Sequence, residues 1–112
     1  MLKVPIDKTI VKALMSELKA GLRAIYGDRL KGIYLFGSYA RGEADPESDL
    51  DVLVVLDRID HYAAEVDRTG QLGADLSLKY SVSISKVYMR EPDWLGYESP
   101  FLTNVREEAI AA

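Results

Sequence analysis

One segment constrains this chain more than any other. The apolar run Ile33-Tyr34-Leu35-Phe36 breaks at Gly37-Ser38, a ten-residue link from Tyr39 to Ser48 follows, and a second apolar run opens through Asp49-Leu50-Asp51 and continues to Leu56. The pattern predicts a strand over Leu30–Phe36, a small-residue turn, and a strand over Asp49–Leu56 that starts on two carboxylates. After that acidic start both faces of the second strand are apolar, Leu50, Val52, Val54 and Leu56 on one and Leu53 and Val55 on the other. It is therefore expected to be a central strand, covered on both sides. Aspartate entering such a strand opposes β-propensity unless a site repays it.

Each residue type in the segment fits a site for metal-bound nucleotide phosphates. Asp49 and Asp51, two apart in an extended strand, share a face with Cα atoms about 6.6 Å apart. Carboxylates so placed can share ligation of Mg²⁺, which prefers carboxylate and phosphate oxygens, and paired ions stabilise both the attacking and the leaving oxygen of a phosphoryl displacement. Gly37 lets backbone approach a ligand closely. Ser38 is expected to cap the helical turn after it and face a phosphate, and Arg41 offers a permanent cationic fork. Gly37 and Gly42 have the spacing of a P-loop, but Glu43 and Ala44 stand where its lysine and hydroxyl residue belong.

Gly37-Ser38-Tyr39-Ala40-Arg41-Gly42 followed by Ser48-Asp49-Leu50-Asp51 resembles the DNA polymerase beta-like nucleotidyltransferases, and among them the minimal MntA-type antitoxins paired with HEPN ribonuclease toxins. The resemblance implies an α/β (α+β) fold, a small mixed β-sheet flanked by helices, over one domain spanning residues 1–112. It implies transfer of a nucleoside monophosphate, AMP from ATP, to a hydroxyl of a partner HEPN-type toxin. Asp49 and Asp51 would hold Mg²⁺, and Gly37, Ser38, Arg41 and Ser48 the nucleotide. Full enzymes of the superfamily carry a third carboxylate on a later strand. Here the matching run, Val82 to Met89, has none, so Ser83 or Ser85 stands in that place, and Glu65 or Asp75 would have to reach in. This departure sustains a rival reading: a non-catalytic module that neutralises its partner by docking.

Composition narrows the classes further. A chain of 112 residues can bury one real core, leaving the acceptor to a partner and a homo-oligomer open. There are no cysteines for disulfides or thiolate metal sites, and no apolar stretch reaches the roughly 20 residues of a membrane span, so a cytoplasmic location is expected. The net charge of −4 argues against general nucleic-acid binding, which needs clustered cations. Seven acids between Glu43 and Asp60 face the single base Arg58, a pattern typical of a solvated loop; only Asp49 and Asp51 are assigned to metal.

Along the rest of the chain, Asp7 is the expected N-cap of a helix whose apolar stripe runs from Ile10 to Ile25 and stops at Gly27. A second helix is expected from about Asp60 to Tyr80, despite Gly70 and Gly73, each costing about 1 kcal/mol against alanine. A third strand covers Val82–Met89, and Ser99-Pro100 opens a final short helix. The lone His61 reads as a surface or capping residue. Trp94, Tyr97 and Phe101 read as packing in preference to a docking patch, and Tyr39 as a lid over the nucleotide base.

Overall fold

A computed structural model describes residues 5–112. Helix α1 (Lys8–Tyr26) begins where the Asp7 carboxylate accepts from the Ile10 N–H at 2.9 Å and ends at Gly27. Val11, Leu14, Met15, Leu18 and Leu22 form its buried stripe. Strands β1 (Leu30–Phe36), β2 (Leu50–Leu56), β3 (Ile84–Arg90) and β4 (Ile110–Ala111) make one mixed sheet in the order β3-β2-β1-β4. β1 runs antiparallel to both β2 and β4, and β2 runs parallel to β3. A parallel step requires a crossover, supplied by helix α3 (Tyr62–Tyr80).

β2 is interior in the sheet and covered on both faces, as its pattern requires. Leu50, Val52, Val54 and Leu56 join α1 and α3 in the larger core, while Leu53 and Val55 join Phe36 and Val105 under helix α5 (Pro100–Glu108). Each fully buried aliphatic side chain is worth about 1.5–3 kcal/mol relative to exposure. A one-residue slip would drive Asp51 into the larger core, so packing fixes the register that presents it.

The strand boundaries shift slightly from expectation. β2 starts at Leu50, leaving Asp49 in the approach and Asp51 inside the ladder, and β3 starts at Ile84. Helix α3 runs through both glycines; Gly73 faces the Lys86 amine, the mobile end of a side chain, while Gly70 has open space around it. Ser99 caps α5 as expected, accepting from the Leu102 N–H at 3.1 Å. Two elements had no counterpart in the sequence reading: helix α4 (Glu91–Gly96) and the two-residue β4. Among the described residues no helix is long and apolar enough to cross a membrane.

Candidate functional site

Three chain ends meet at one edge of the sheet: the C-terminal end of β1 and the N-terminal ends of the parallel strands β2 and β3. Gly37 lies at the first. Its φ of 77° and ψ of −158° lie in backbone space that is essentially glycine-only. A Cβ there would lie closer than 3.0 Å to Asp51 Oδ2 and 3.0 Å from Cγ, so the Asp51 carboxylate lies directly against the glycine backbone. Phe36 is the cross-strand partner of Asp51.

The electrostatics are those of an uncompensated acid pair. Burial, and then the Asp49 charge, raise the Asp51 carboxyl above the ordinary aspartate value; Arg41 pulls it down and Glu108 adds to the rise. A half-buried carboxylate with a like neighbour is a donor set that favours a hard cation. Among the described residues no three acids or histidines converge closely enough to hold a metal by themselves.

Ser38 does not cap the turn after β1. Gly37 occupies the N-cap position, with no side-chain bond, and Ser38 is the first residue of the short helix α2 (Ser38–Arg41). The reason is conformational, since the dihedrals needed at the cap exclude a serine there. Arg41 closes α2 and is engaged by acids: Nε donates to Glu43 Oε2 at 3.0 Å and Nη1 to Glu108 Oε2 at 2.7 Å. The Ser48 hydroxyl accepts from the Asp45 N–H at 2.9 Å and so braces the loop before Asp49. Tyr39, expected over a base, instead packs half-buried against the larger core.

The parallel register aligns Asp51 with Ser85, so β3 presents a neutral hydroxyl beside the acid. Ser83 precedes the strand, its carbonyl accepting from the Leu50 N–H at 2.8 Å. Neither helical acid reaches the pair. Glu65 is buried among the Tyr26 hydroxyl (2.8 Å) and the guanidinium groups of Arg68 (2.8 Å) and Arg29 (3.8 Å), and Asp75 accepts from Gln71 on α3, which covers the face opposite Asp51. Glu108 was invisible to motif reasoning because 67 positions separate it from Arg41. His61 stands at the N-cap position of α3 without a side-chain cap bond. Of the late aromatics, Trp94 stacks on Tyr34 at 4.8 Å and Phe101 meets Phe36 edge-on at 5.9 Å, while Tyr97 stays 60% exposed.

Comparison with known proteins gives this arrangement a family. Residues 15–106 match the model of the nucleotidyltransferase domain. The protein adenylyltransferase MntA of Thermococcus cleftensis is 34% identical over 89 residues, spanning 72% of this chain and 88% of that protein. Among solved structures, a toxin-antitoxin complex with AMP-PNP contains a chain that superposes with a TM-score of 0.62 at 21% identity, over 86% of this chain and 69% of its own length. A tri-AMPylated Shewanella oneidensis HEPN toxin in complex with MNT antitoxin gives 0.50 at 19%, over 88% and 70%. The family match across most of the chain, together with the 34% identity to the Thermococcus protein over 72% of this chain, makes this chain a nucleotidyltransferase of that domain family.

Proposed function

We propose that the domain transfers AMP from ATP to a hydroxyl of a partner protein, with a HEPN-type toxin as the partner. The observation that carries this reading is the acid pair at the head of β2, with Asp51 pressed against the Gly37 backbone. Asp49 and Asp51 would hold Mg²⁺, which when bound supplies charge neutralisation to the triphosphate. Arg41 supplies a cation for phosphate oxygens. Gly37, with no side chain, leaves room for close approach to the acids, and Ser38 and Ser48 flank that opening from either end of the α2 loop. The partner supplies the acceptor hydroxyl. The adenylyltransferase name of the Thermococcus relative and the toxin partners of the solved neighbours support AMP as the group and a toxin as the acceptor.

The test is incubation of the protein and its co-purified partner with labelled ATP and Mg²⁺. Label should pass to the partner, and Asp49→Asn and Asp51→Asn should each abolish it while leaving the fold intact or slightly more stable. Nucleotide binding is read separately: at 100 times Kd, Mg²⁺-ATP should stabilise the fold by about 2.7 kcal/mol, and an unshifted melt at millimolar ligand would refute it. A second reading, inhibition by stoichiometric docking alone, is favoured by one observation, the neutral Ser85 beside Asp51. It takes over if the wild type inhibits its partner and transfers no label.

A further inference from the structure

Arg41 is the cation that acts on Asp51 at this site, yet two of its three guanidinium nitrogens are engaged by acids, Nε by Glu43 and Nη1 by Glu108. Glu43 bonds it from two residues away through a side chain that is 66% exposed. Glu108 is different: it reaches Arg41 across 67 positions of sequence, its side chain is only 18% exposed, and the N–O distance is 2.7 Å. It is the last residue of α5, and Ala109 alone separates it from β4, which pairs Ile110 with Leu35 and Ala111 with Tyr34. The Ala112 N–H completes that edge by donating to the Ile33 carbonyl at 3.0 Å. Glu108 is thus held between a helix and a strand, and Arg41 pairs with a preorganised carboxylate.

We propose that Glu108 acts as an internal stand-in for phosphate: its carboxylate holds the Arg41 Nη1 donor in the nucleotide-free protein, and a triphosphate that takes this donor displaces it. The inference rests on Arg41 being a phosphate ligand. Carboxylate and phosphate oxygens compete for the same guanidinium donors, so the contact lowers apparent nucleotide affinity by the worth of the pair. Because Glu108 is coupled to β4, displacement carries a structural signature: the hydrogen bonds between β4 and β1 weaken when nucleotide binds.

The experiment is a double-mutant cycle on Mg²⁺-ATP affinity, measured by calorimetry on the full chain, with melting curves to establish folding. Glu108→Gln should tighten binding about threefold to fivefold, the range of a partly exposed ion pair. In an Arg41→Ala background the same substitution should have no effect, whereas a general repulsion between Glu108 and phosphate would persist there. Should Glu108→Gln fold poorly, Glu108→Ala serves in its place. Hydrogen exchange at Ala112, whose N–H bonds the Ile33 carbonyl, should quicken when wild type is saturated with nucleotide. If wild type binds ATP and Arg41→Ala weakens it, while Glu108→Gln binds no tighter or tightens equally without Arg41, the stand-in role is overturned and the nucleotide site survives. If Arg41→Ala binds ATP as wild type does, Arg41 is no phosphate ligand and the stand-in role falls while the acid-pair site survives; if wild type does not bind ATP, both readings fall.

Discussion

Gly37→Ala tests the site at its tightest point. The substitution has two separable costs. The first is backbone strain, because φ 77° and ψ −158° are open essentially to glycine alone, and holding another residue there costs about 1–3 kcal/mol. At roughly 4 °C per kcal/mol for a domain of this size, the melting temperature should fall by about 4–12 °C. The second is displacement of Asp51, whose Oδ2 would lie closer than 3.0 Å to the new methyl and its Cγ at 3.0 Å. The carboxylate has to rotate away, and the nucleotide-dependent shift of the melt should go with it. Differential scanning calorimetry with and without Mg²⁺-ATP reads both effects at once. Asp51→Ala provides the control: with the carboxylate gone the nearest remaining Asp51 atom is Cβ at 3.2 Å, so Gly37→Ala should cost less in that background, by the steric part. A Gly37→Ala protein that melts like wild type and keeps its full Mg²⁺-ATP shift would refute the account of this turn.

Three further outcomes are expected. Asp51→Asn should melt at or above wild type near neutral pH without metal: burial and Asp49 raise the Asp51 pKa, so the stability that the protonated form provides below about pH 3.9 is lost as pH rises through the folded value, and the amide never loses it. Tyr26→Phe should cost about 1.5 kcal/mol by urea unfolding, the worth of a hydrogen bond to a charged group such as Glu65. Burial and then Glu65 raise the Tyr26 pKa, a contribution present below about pH 10 and lost as pH rises beyond it, so wild type should lose more stability than Tyr26→Phe between about pH 10 and pH 11.5. Ser85→Asp should raise the transfer rate by about tenfold, about 1.4 kcal/mol of barrier, while Ser83→Asp should not, because only Ser85 is in register with Asp51; equal rates in single-turnover assays would place the activating group elsewhere.

What the sequence made legible follows from the range over which each signal acts. α1 and β1 were readable because a cap, a stop and a period lie within a few residues, and β2 because its two apolar faces declare a central strand. Asp49, Asp51 and Gly37 share one edge of the sheet because a strand, a turn and a strand are contiguous in the chain. The Ser38 cap was misassigned for want of a dihedral: serine is a favoured cap, but the turn demands a conformation reserved for glycine. β4 has only two residues and therefore no period to detect. Helix α4 did carry a signal, Pro92 in its first turn, in a stretch weighed for its aromatics instead. Choosing between Ser83 and Ser85 required a register between strands joined by a 19-residue helix, and no local pattern encodes that.

The topology also accounts for an unequal division of labour at the site. Antiparallel pairing brings the end of β1 to the head of β2, so the glycine turn and the acid pair arise from one hairpin-like unit whose loop carries Arg41. The parallel partner β3 brings its own head to the same edge, and there it contributes Ser85 in place of charge. The side of the site built by β1, α2 and β2 therefore holds all the groups suited to a metal-bound triphosphate. The side built by β3 is neutral and exposed. On the proposed reaction, activation of an incoming hydroxyl is the step for which this chain is least equipped, and the partner that brings the hydroxyl is the remaining source of that help. On the same proposal, the acid that α5 holds on Arg41 would act on the half of the site that binds the triphosphate.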